Sequence, residues 1–183
     1  MGFVIFLVIV ALLLFYGVGL YNGLVRKRNA VEEGWSGIDV QLKKRYDLIP
    51  NLIETVKGYA SHEKETLDNV IKARNQAQSA TGIDQQMAAE NQLSGTLSRL
   101  FALAESYPDL KANASFLQLQ DQLAQIEGDI EKARRYYNGT VRENNNAVET
   151  FPGSVVANMF GFHISEYFEI ELEDERKNPK VQF

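Results

Sequence analysis

Two histidines, His62 and His163, are the whole imidazole supply of this 183-residue chain, and it has no cysteine. Carboxylate-bridged metals in helical bundles use a Glu-x-x-His pattern on an inward face. Tyr59 stands three residues before His62 and Phe160 three before His163, so neither completes it. Ser61-His62-Glu63-Lys64-Glu65 offers an imidazole among acids but lacks the second histidine of a zinc-protease helix. It reads as a solvated helical face, and His163, beside an apolar segment, as packed or interfacial. Without cysteine there is no disulfide framework, thiolate metal site or thiol nucleophile. Glycine-rich phosphate loops and a Gly-x-Ser-x-Gly elbow are also missing from the sequence. These failed matches predict a protein that is not an enzyme and has no catalytic, metal or cofactor site.

The cations fall into two kinds. Lys43-Lys44-Arg45 and Lys132 with Arg134-Arg135 are interspersed with acids and read as solvated helix faces with intrahelical ion pairs. A formal charge of −5 gives no preference for nucleic acid. Arg26-Lys27-Arg28 is different, because it follows the uncharged run GFVIFLVIVALLLFYGVGLY from Gly2 to Tyr21. About 20 apolar residues cross a bilayer's hydrocarbon core. Backbone groups there must bond to one another, so the run must be helical. No charge precedes it, against the basic start of a secretory signal, and an uncleaved anchor is expected. Lys and Arg beside a span favour the cytoplasmic side. The expected topology is single-pass in the cell (inner) membrane, with the N-terminus outside and the C-terminal domain cytoplasmic. Arg26, Lys27 and Arg28 are the candidate contacts with anionic lipid. Gly19 and Gly23 form a weak small-xxx-small pair.

The elements that position these groups are helical. Val31, Trp35, Ile38, Leu42, Tyr46, Ile49, Ile53, Val56 and Ala60 recur at spacings of three and four. Pro50 interrupts the row by removing one helical hydrogen bond. The unbroken row argues for a kink there, and closure of a compact bundle argues for reversal. Thr81-Gly82-Ile83 is a break, with Asp84 as N-cap of a helix over 85–106. Tyr107-Pro108-Asp109 is the next turn. A long helix over about 110–148 carries the row Phe116, Leu119, Leu123, Ile126, Ile130, Ala133 and Tyr137, a heptad seam of bundles and coiled coils. Asn144 falls on its extension, where a polar residue sets register or partner. Arg45, Asp47 and His62 lie close to the apolar rows, as pairs that fix register or as a contact surface for a partner. Beyond Phe151-Pro152-Gly153 comes the apolar VVANMFGF, and then Phe168, Ile170 and Leu172 alternate with glutamates as an extended tail. The expected organisation is all-α: an anchor over 1–25, a helical domain over 26–150 and a tail over 151–183.

The segment YNGLVRKRNAVEEGWSGIDVQLKKRYDLIPNLIETVKGYASHEKE (21–65), with YPDLKANASFLQLQ (107–120), RRYYNGTVRENN (134–145) and FPGSVVA (151–157), resembles the LemA family. The resemblance implies a bacterial membrane protein: an N-terminal transmembrane helix followed by an antiparallel four-helix bundle with long helices. It favours reversal at Pro50 and implies no activity. In an up-down-up-down bundle the fourth helix ends at the membrane side, which brings VVANMFGF to the lipid surface. The expected function is a membrane-anchored scaffold, self-associating as a homo-oligomer or docking other membrane proteins on the cytoplasmic side. The alternative is a lipid-binding or membrane-remodelling protein that uses VVANMFGF and the basic collar.

Overall fold

The computed structural model describes residues 1–168; Ile170 and Leu172 of the expected alternating tail lie outside them. Its elements are α1 (Gly2–Lys57), α2 (Lys64–Ser79), α3 (Ile83–Ala104), α4 (Pro108–Lys111), α5 (Ala114–Glu149) and α6 (Gly153–Phe160). All regular structure among the described residues is helical, as the periodicities require. The chain forms two compact units. Among the described residues one comprises 1–45 with 122–167, the other 46–121 with Phe168.

In the first unit, partners along α1 rise in number as those along α5 fall. Lys27 pairs with Glu143, the Trp35 ring meets Tyr137, and Arg45 pairs with Glu127, so the two stretches run in opposite directions. The buried side chains repeat the same steps on both helices: Leu24, Val31, Ile38 and Leu42 on one, Leu123, Ile130, Tyr137 and Val141 on the other. Such spacing keeps an apolar stripe on one face. At Gly34 the backbones come close. A Cβ there would stand 3.2 Å from the Tyr137 Cα.

The second unit packs the end of α1 with α2, α3, α4 and the start of α5. Of the two readings of Pro50, reversal, which the resemblance favours, does not occur. Helix α1 runs through Pro50 to Lys57, and the chain turns over Gly58–Glu63 instead. Pro50 has no N–H for the carbonyl of Tyr46, one helical turn back. That carbonyl accepts from Arg74 Nε of α2 at 2.8 Å, and Pro50 itself is exposed.

Other boundaries also move. Gly82, with φ of +84°, precedes α3, and Asp84 sits in the first turn rather than at the cap. Helix α5 begins at Ala114 because Asn113 Oδ1 accepts the Phe116 N–H at 2.9 Å, an N-cap bond. It continues unbroken through Asn138–Gly139. Along it Phe116, Leu123, Ile130 and Tyr137 are buried, so the heptad seam is consumed within the chain.

Candidate functional site

The first unit concentrates its unusual features where the apolar run of α1 ends. That run is long and apolar enough to cross a membrane, and none of it is buried. This distinguishes it from the core helix of a soluble domain. Just beyond it, Leu24 is buried against Ala157 of α6 and Phe162, with Val25, Ala147, Val148 and Val156 packed around them. Tyr21 meets the rings of Phe160 and Phe162 edge-on, at centroid distances of 4.9 and 5.6 Å.

Local sequence explains why α6 lies there. A side chain at Gly153 would overlap the carbonyl oxygen of Ala147, so only glycine lets the chain fold back so tightly after α5. Gly161, with φ of +71°, ends α6 in the left-handed region, and the Phe162 N–H closes on the Ala157 carbonyl at 3.0 Å.

The strand-like stretch that follows is strapped to α5 by side chains that imitate a backbone. Asn145 Oδ1 accepts the Ser165 N–H at 2.8 Å, and its Nδ2 donates to the Ser165 carbonyl at 2.9 Å. Asn144 Nδ2 donates to the His163 carbonyl and Ser165 Oγ, both at 3.3 Å. Tyr137 donates its hydroxyl proton to the Glu166 carbonyl at 2.9 Å. Burial first, and then the Glu166 charge, push the Tyr137 phenol above its usual pKa.

The three collar cations are placed differently. Arg26 is exposed. Lys27 Nζ pairs with Glu143 at 3.1 Å. The Arg28 guanidinium lies 5.6 Å from the centre of the Phe162 ring and 3.9 Å from Glu32. Among the other residues singled out in the sequence, Arg45 is buried with Nη2 2.6 Å from Glu127, and Asn144 is buried under the strap. Asp47 and His62 are exposed. The structure therefore gathers Arg26, Lys27, Arg28 and Asn144 near one end of the first unit, while Arg45 lies further along α1 and Asp47 and His62 belong to the second unit.

The second unit holds a polar cluster that the sequence reading missed. Tyr46 donates its hydroxyl to the buried Glu90, and Gln86 Nε2 donates to Tyr46 Oη and Glu90 Oε1, each at 2.9 Å. The signal was present, since Gln86 and Glu90 continue the row of Leu93, Leu97 and Leu100 backwards. The same unit also has a furrow of about 370 Å³ between the end of α1 and α2. Ile53, Leu67 and Ile71 form its apolar part, and Glu54, Lys57, Lys64 and Asp68 its charged part. No group of three or more His, Asp or Glu side chains is arranged to hold a metal among the described residues.

The sequence model of the LemA family matches residues 34–183. Protein LemA of Metamycoplasma hominis is 28% identical over 174 residues, an alignment covering 92% of this chain and 79% of that protein. Magnetosome protein MamQ of Magnetospirillum gryphiswaldense is 22% identical over 174 residues, and MamQ 2 of Paramagnetospirillum magneticum 21% over 175. Both alignments cover 81% of this chain and 64% of the relative, so the chain spans less than two thirds of either MamQ protein.

Proposed function

The chain belongs to the LemA family, and from that premise we propose that it is a membrane-anchored, non-enzymatic helical scaffold that self-associates or docks membrane proteins at the cytoplasmic face. The observation that carries this reading is α1. One helix supplies both an unburied apolar segment and, without a break, the buried Leu24, Val31, Ile38 and Leu42 of the first unit. A domain attached in this way is held at the bilayer without a flexible linker, and tethering raises the effective concentration of its surfaces for one another. Arg26, Lys27 and Arg28 follow the apolar run and favour a cytoplasmic domain. We read α1, α2, α3 and α5 as the four helices of the antiparallel bundle. Two relatives carry the name of a magnetosome protein, which fits a membrane-associated helical protein.

The furrow between α1 and α2 supports self-association over a foreign partner. Its lining carries two acids, Glu54 and Asp68, and two bases, Lys57 and Lys64, with Lys57 Nζ 3.5 Å from Glu54 Oε1. A second copy turned about a two-fold axis offers acid to base and base to acid. Size-exclusion chromatography with light scattering, on the full chain in mild detergent, tests this. We expect a concentration-dependent oligomer that Ile71→Glu shifts toward monomer, since Ile71 is 39% exposed and tolerates a charge without unfolding. A monomer at every concentration would overturn self-association.

A further inference from the structure

Helix α6 has a face that its own chain does not use. Phe151, Val155 and Met159 recur every four residues, which aligns them along one side of the helix and its approach. They are 82%, 52% and 71% exposed, and Phe160 beside them is 58% exposed. The opposite side supplies Ala157 and Val156 to the cluster around Leu24. No Asp, Glu, Lys or Arg occurs between Thr150 and Ser165, so the exposed row is not diluted by charge.

The position of this row along α1 identifies what covers it. The uncharged run ends at Tyr21, whose ring touches Phe160, and Leu24 lies under Ala157. Tyr21 and Leu24 are three residues apart, about 4.5 Å along a helix axis. Helix α6 is therefore level with the last turn of the apolar segment. Phe15, Tyr16 and Val18, in the turns of α1 just before Tyr21, are exposed as well. Arg28, 5.6 Å from the Phe162 ring centre and seven residues beyond Tyr21, puts a cation next to the end of the apolar row, within reach of lipid phosphates. Interfacial helices bury an apolar face at the headgroup–acyl boundary and keep cations above it.

We infer that α6 is a second membrane contact, a lateral foot whose Phe151, Val155, Met159 and Phe160 side chains enter the lipid interface beside α1. The inference rests on α1 spanning the bilayer. A span alone leaves the domain free to rotate about the helix axis. A foot on one side fixes which face of the first unit looks along the membrane.

The chain has no cysteine, so single labels are direct. Met159→Cys, Val8→Cys and Gln125→Cys of the full chain each carry an environment-sensitive fluorophore in vesicles of phosphatidylcholine and phosphatidylglycerol. The lipids bear a spin-label quencher either near the headgroup or deep in the acyl chain. Gln125 is exposed near the Arg45–Glu127 pair, about 36 Å of helix beyond Tyr21. The foot predicts strong quenching at position 159 by the shallow label, strong quenching at position 8 by the deep label, and little quenching at position 125 by either. Val155→Cys serves as a second probe of the same row and should behave as position 159 does. Quenching at position 8 without quenching at 159 and 155 would overturn the foot and leave the span standing. Absence of quenching at position 8 would overturn the span and, with it, the foot. Shielding of labelled position 159 from the shallow quencher, together with disulfide-linked dimers of the unlabelled Met159→Cys chain under an added thiol oxidant, would overturn the foot in favour of a second copy covering the row.

Discussion

Tyr137 shows how much one side chain can hold. It is buried on the seam of α5, its Cα faces Gly34, its ring meets Trp35, and its hydroxyl bonds the Glu166 carbonyl. Ionising it would bury a charge and turn the donor into an acceptor that faces the Glu166 carbonyl. Its folded-state pKa is raised, so the folded protein holds the proton more tightly than the unfolded chain does. Such a group contributes stability that is fully present below the unfolded tyrosine value near 10 and is lost as pH rises through the higher folded value. Thermal unfolding between pH 8 and alkaline pH should therefore show falling stability, and Tyr137→Phe should flatten part of that fall while costing about 1 kcal/mol at neutral pH for the lost hydrogen bond. Tyr107, raised first by its bond to Glu63, accounts for a further part. An unchanged alkaline slope in Tyr137→Phe would contradict this assignment. At this scale the sequence was half legible. Tyr137 and Asn144 stood on the predicted seam. Asn145 did not, because its value lies in a match to the backbone of Ser165, 20 residues further on.

The elements were legible wherever their signal was local. Apolar residues at steps of three and four marked α1, α3 and α5, and the uncharged run marked the start of α1. Pro50 left kink and reversal open because its compensation is remote: Arg74, which occupies the freed carbonyl of Tyr46, lies 28 residues from it. The turn went to Gly58–Glu63, where glycine and an unpatterned stretch end the helix. A double-mutant cycle tests this explanation at the level of the helix. Arg74→Met should cost about 1–3 kcal/mol by stranding the carbonyl. Pro50→Ala restores an N–H that can bond Tyr46 within α1, so Arg74→Met should cost less in that background. The expected coupling is about 1 kcal/mol, read from urea unfolding in mild detergent. Strictly additive costs would show that Arg74 does not stand in for the missing bond. Helix α6 was visible only as an apolar string, since a segment of eight residues is too short for periodicity to separate helix from strand.

At the scale of the whole molecule, family membership and the unbroken α1 account for the proposed role together. A family of this kind needs no reacting groups if its work is to hold surfaces at a membrane. The surfaces in question are the furrow of the second unit and the exposed row of α6 in the first. The furrow was not legible in the sequence, because two helices make it; VVANMFGF was legible as an apolar string that reaches the lipid, but not which side of it stays exposed. The central claim is that anchor and core are one continuous helix. Amide hydrogen exchange of the full chain in lipid nanodiscs measures this directly across residues 22–45. The account predicts slow exchange running without interruption from the apolar run through Leu24, Val31, Ile38 and Leu42. A fast-exchanging break between Tyr21 and Leu42 would contradict it, making the anchor a tether and the domain free to leave the bilayer surface.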